Sequence, residues 1–139
     1  GFDEEMKASE DWELCVRLLA GKRFAALADP VVISYETAGS LTGRHDLQRV
    51  SLRRAMTRHA DLLARHPAAH ANILFETAKH DFYCGENSAG RKATLQSAML
   101  QPLRIRAWLL FVASLLGGPL LMGAVSVFRR TKYRLNLYR

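Results

Sequence analysis

The sequence predicts a mainly α-helical chain with one short mixed segment near its start, and three observations carry that expectation. Apolar residues recur at helical spacing through most of the chain after Arg44. A single strongly β-favouring run, Val31 to Tyr35, precedes them. Near the end, Ala107 to Phe128 forms 22 residues without a formal charge. With 139 residues, 49% of them hydrophobic, the chain is long enough for one domain.

The first element is a short helix. Ser9 is placed to cap it, Glu10, Asp11 and Glu13 fill a first turn that favours negative charge, and Leu14, Cys15, Leu18 and Leu19 form its apolar side. Gly21 is a natural stop. Phe24 to Leu27 and Val31 to Tyr35 read as short extended runs split by Asp29-Pro30. Thr37 to Gly43 is the clearest linker, and the charge balance changes sign there. Residues 1 to 36 hold 4 basic and 8 acidic side chains, and residues 37 to 139 hold 16 and 5. An acidic front and a basic remainder suggest site chemistry in one and an anionic partner surface for the other.

Arg44 to His66 contains no proline or glycine and reads as one cationic helix, with Leu52, Met56 and Leu63 on its apolar side. Pro67 suits the first turn of the next helix, whose buried stripe is expected at Ala71, Leu74, Phe75, Ala78 and Phe82, with Gly85 ending it. A third helix, about Ser88 to Gln101, carries Leu95, Ala98 and Met99 and stops before Pro102, so these two helices form a hairpin. Cys15 and Cys84 are far apart, without metal-like pairing, and read as small reduced core residues.

In the tail, Ala107 to Phe128 as one helix would reach about 33 Å, against a hydrocarbon core of about 30 Å. Gly117-Gly118-Pro119 interrupts it, so two half-length helices and one kinked span are both compatible with the sequence. Arg104 and Arg106 stand on one side, and Arg129, Arg130, Lys132 and Arg134 on the other. Both ends therefore favour the cytoplasmic face, which suits a shallow hairpin in the inner leaflet; the alternative is a buried helical pair in a soluble domain. The chain divides accordingly into 1–42, a three-helix extension at 43–101 and a basic-flanked, membrane-associating tail at 102–139.

Gly1-Phe2-Asp3-Glu4, the Glu10-Asp11 pair followed by Trp12, Glu13 and Leu14, then Arg17, Gly21 and the Asp29-Pro30-Val31-Val32 to Tyr35 run occur in a specific order. In that order they resemble the C-terminal end of the catalytic domain of family 2 glycosyltransferases. The likeness covers residues 1 to about 42. It implies the C-terminal edge of a GT-A α/β domain, with one helix and one or two short strands, and it implies that the chain is the C-terminal part of a larger enzyme and inactive alone. The implied reaction is transfer of a sugar, with inversion, from a nucleotide-sugar donor to a saccharide or lipid-linked acceptor at the cytoplasmic face of a bacterial inner membrane. By the same resemblance Asp11 is the general base, Glu10 supports it, and Trp12, Asp3 and Glu4 lie on the acceptor side. A divalent cation, Mg or Mn, is implied by the family alone, with no ligands among these residues. Where many family members follow the strand tyrosine with a basic residue and a histidine, this chain has Glu36, Thr37 and Ala38.

Two other constellations carry less. His66 and His70 are one helical turn apart, with His59 and His80 near in sequence, yet no carboxylate or cysteine completes a metal-ligand spacing. The Arg44 to His66 helix lacks the interleaved aromatics and partner helix of a nucleic-acid reader, so nucleic acid is not an expected partner. A non-catalytic helical module for membrane anchoring or protein interaction is the alternative to an enzyme.

Overall fold

The computed structural model describes residues 1–19, 22, 25, 41–117 and 120–127. Among them the elements are α1 (Glu10–Leu19), a 3-10 turn at Leu41–Gly43, α2 (His45–Arg58), α3 (Ala60–Arg65), α4 (Pro67–Tyr83), α5 (Asn87–Leu100) and α6 (Ile105–Leu116). Residues 120–127 are helical as well. No strand occurs among the described residues, which corrects the expected α/β edge: this part of the chain is all α-helical. The physical reason lies in how the opening segment is attached. Its backbone bonds are local turns, such as Met6 N–H to the Asp3 carbonyl at 3.0 Å, and side-chain ion pairs rather than a strand ladder tie it to α2. Val31 to Tyr35 lies outside the described residues, as does Phe24 to Leu27 apart from Ala25, which is not in a strand.

The bundle is built on the α4/α5 hairpin. Pro67 opens α4 at its first position, and His66 before it is extended, with φ −128° and ψ 71°, because the proline ring disfavours helical backbone there. Gly85 closes α4 at φ +79°. The Glu86 N–H reaches the Asp81 carbonyl at 2.9 Å and the Gly85 N–H reaches that of Phe82 at 3.1 Å, a Schellman arrangement that satisfies the last carbonyls. All five expected stripe residues of α4 are buried. On α5 the inward face is Gly90, Ala93, Thr94, Ser97 and Ala98, and Met99 is exposed. Small residues let the helices close up: the Ser97 hydroxyl donates across to the Ala71 carbonyl at 2.7 Å.

The continuous cationic helix expected from Arg44 to His66 is divided at His59 into α2 and α3, which pack on α4. The apolar tail is two helical pieces, not one span. Gly117 takes φ 117° and ψ 170°, backbone that essentially only glycine adopts, and its carbonyl accepts the Leu121 N–H at 3.1 Å to start the second piece. Ala107, Leu110, Leu121 and Val125 join Leu74, Phe75, Ala78 and Phe82 in one core. Among the described residues no helix is long and apolar enough to cross a membrane.

Candidate functional site

The acidic first turn of α1 sits on a held platform. Ser9, just before it, has φ 57°, a left-handed conformation that costs a non-glycine residue about 1–2 kcal/mol. Its carbonyl accepts the Glu13 N–H at 3.1 Å, while its hydroxyl, expected to cap the helix, instead donates to the Gln48 side-chain oxygen at 2.7 Å. The turn is therefore set by a contact to α2 rather than by local capping.

Glu13 is the residue that spacing alone misses. It is fully buried, takes Arg17 Nε at 2.9 Å and His59 Nε2 at 3.0 Å, and lies 3.4 Å from Arg58 Nε. Burial raises its carboxyl pKa, but the hydrogen bonds from Arg17 and His59 outweigh that and hold it below the ordinary value. The Arg17 interval of four residues was a visible signal; Arg58 at the end of α2 and His59 just after it were not. Asp3 does parallel work from the loop, accepting Arg54 Nε at 2.9 Å and Arg58 Nη1 at 2.6 Å. The Arg54 bond is the largest cause of its lowered pKa. Arg54 also pairs with Glu5.

The other candidates lie differently. Asp11 is exposed; its Oδ1 accepts the Trp12 N–H at 2.7 Å, and it has no ion pair among the described residues. Glu10 is half-buried next to it, and Trp12 is 38% exposed. Glu4 is exposed in the turn, where its carbonyl accepts Lys7 Nζ at 3.1 Å. Glu10, Asp11 and Trp12 thus share one short turn, while Asp3 is engaged by arginines and Glu4 lies on the loop before them.

A second polar cluster joins α2 to α4. Asp81, fully buried, meets Arg53 Nη2 at 2.6 Å and Arg49 Nη1 at 3.8 Å. Its Oδ1 and the Arg49 Nε have no hydrogen-bond partner, and burial raises its pKa over the opposing pull of the arginines. Beside it, His45 Nδ1 and His80 Nδ1 lie 2.9 Å apart, one donating and one accepting, and His45 stacks on Tyr83 at 4.1 Å between centroids. His66 and His70 belong to no such group, and among the described residues no group of three or more His, Cys, Asp or Glu could hold a metal ion. The divalent cation implied by the resemblance therefore finds no ligand set there. Cys15 and Cys84, expected in the core, are both exposed free thiols.

Comparison with family models, curated proteins and solved structures gives no match for this chain.

Proposed function

We propose that the first turn of α1 carries the general base of an inverting sugar transferase, with Asp11 as the base. The supporting observation is a division of labour among carboxylates. Asp3 and Glu13 are tied to arginines of α1 and α2, whereas Asp11, between them in sequence, presents an exposed carboxylate without an ion pair among the described residues. A base must reach an acceptor hydroxyl and keep a lone pair for its proton, and Asp11 meets both needs. Its bond from the Trp12 N–H fixes one oxygen and leaves the other for the acceptor.

In the proposed step the acceptor hydroxyl gives its proton to Asp11 as its oxygen bonds to the anomeric carbon. The bond from that carbon to the nucleotide's diphosphate oxygen breaks on the opposite face, and the nucleotide leaves with the bonding pair. Trp12 offers an apolar ring face for a sugar of the saccharide or lipid-linked acceptor, and Glu10 shapes the field beside the base. Asp3 and Glu13 keep the turn in place, because a misplaced base loses much of its advantage. The cytoplasmic face of a bacterial inner membrane is the proposed setting.

The protein as its gene encodes it, incubated with a panel of nucleotide-sugars and a mixture of saccharide and lipid-linked acceptors, is expected to release nucleoside diphosphate with at least one donor. Failure with every donor would favour the second reading, a non-catalytic helical membrane or interaction module. That reading draws on one observation, the apolar outer face of α6.

A further inference from the structure

α6 is apolar on two opposite sides. Ala107, Leu110 and Ser114 are buried in the bundle, whereas Ile105, Leu109, Val112 and Leu116, spaced by three and four residues, are exposed. Helical residues 120–127 repeat the arrangement, with Leu121 and Val125 inside and Leu120, Met122 and Val127 outside. Leu103, 96% exposed in the turn before α6, extends the surface. A helix apolar on opposite sides belongs in a core or against lipid, and large exposed apolar surfaces mark interaction sites.

Charge decides what covers it. After Glu86 the chain contains no aspartate or glutamate, against nine lysines and arginines. Arg106, exposed, precedes the apolar face, the Arg104 guanidinium instead lies 5.0 Å over the Phe75 ring, and Arg129, Arg130, Lys132 and Arg134 follow in sequence. A second copy of this chain would bring the same cations to a shared interface with no nearby acidic residue in that stretch, which is repulsive. An anionic bilayer surface suits both features, since lipid tails take the apolar face and headgroups take Arg106 and the basic residues that follow in sequence. The 12 residues of α6 are about 18 Å long, well under the hydrocarbon thickness, so the contact is in-plane rather than a crossing. Trp108, 39% exposed, donates its Nε1–H to the Pro102 carbonyl at 3.0 Å, which holds the indole near the start of α6 as an interfacial anchor.

We infer that the outward face of α6 and of residues 120–127 docks in-plane on a bilayer surface rich in anionic phospholipid. This docking does not depend on the sugar-transfer reading. The test is flotation of the whole protein with phosphatidylcholine vesicles containing about a third phosphatidylglycerol, compared with phosphatidylcholine alone. The protein is expected to float with the anionic vesicles and to be partly released by high salt. Leu109→Glu with Leu116→Glu, both at exposed positions, is expected to weaken binding at least about tenfold with an unchanged circular dichroism melt, and Leu18→Glu on α1 to leave it unchanged. Arg106→Glu, also at an exposed position, is expected to weaken binding to anionic vesicles alone. Equal binding to both vesicle types, equal binding by the double variant, or a solution dimer that the double variant dissolves would each overturn the inference.

Discussion

At Gly90 an added methyl group would stand 2.5 Å from Phe82 Cε1 and 2.7 Å from Cδ1, and the Phe82 ring is buried. Gly90→Ala should therefore destabilise the α4/α5 hairpin by about 1–2 kcal/mol, overpacking outweighing the helix-propensity gain of alanine; urea unfolding measures it. Gly117 is the opposite case, since nothing lies within 4 Å of its added Cβ and only its φ of +117° forbids a side chain. Gly117→Ala should cost about 1–3 kcal/mol, without any clash, by straining the corner after α6. At Glu13 the loss is of charge partners. Glu13→Gln leaves Arg17, Arg58 and His59 around a neutral group and should cost about 1–3 kcal/mol in the same urea assay.

At the scale of elements, the opening segment and the helical bundle respond to acid in opposite senses. Asp3 and Glu13 have carboxyls held below their ordinary values, so their contribution is present above the unfolded pKa of about 4 and is lost as pH falls through the folded values. Asp81, between α2 and α4, is raised by burial, so protonation relieves rather than breaks its site. Acidification from pH 7 to about 3 should then release α1 from α2 before α2 leaves α4. Trp12 fluorescence in a Trp108→Phe background should report the release, ahead of the loss of helical circular dichroism; simultaneous loss would contradict it.

For the whole molecule, what periodicity could reveal was what a helix does with its own faces. The stripe from Ala71 to Phe82, the proline start at Pro67 and the glycine stop at Gly85 were readable because each rests on local spacing or backbone freedom. The inward face of α5 was harder to read because it includes Thr94 and Ser97, their hydroxyls bonded to the Gly90 and Ala71 carbonyls, and apolar counting overlooks such residues. The burial of Glu13 against His59 joins residues 46 apart in the chain, which no local pattern contains. The α/β edge was expected from β-favouring composition at Val31 to Tyr35, a run outside the described residues, whereas the described residues are helical without a strand. In the candidate site, Asp11, Glu10 and Trp12 could be named from sequence, but the ties of Asp3 to Arg54 and Arg58 could not.

The most direct measurement is the transfer rate of the Asp11→Asn protein, with nucleoside diphosphate release and melting temperature followed in parallel in the protein as its gene encodes it. Because Asp11 is exposed and free of ion pairs among the described residues, its melting temperature should not change. Removal of the base should lower transfer by about a hundredfold or more. Transfer retained at close to the wild-type rate, or a loss that merely tracks unfolding, would contradict the assignment of Asp11 as the base.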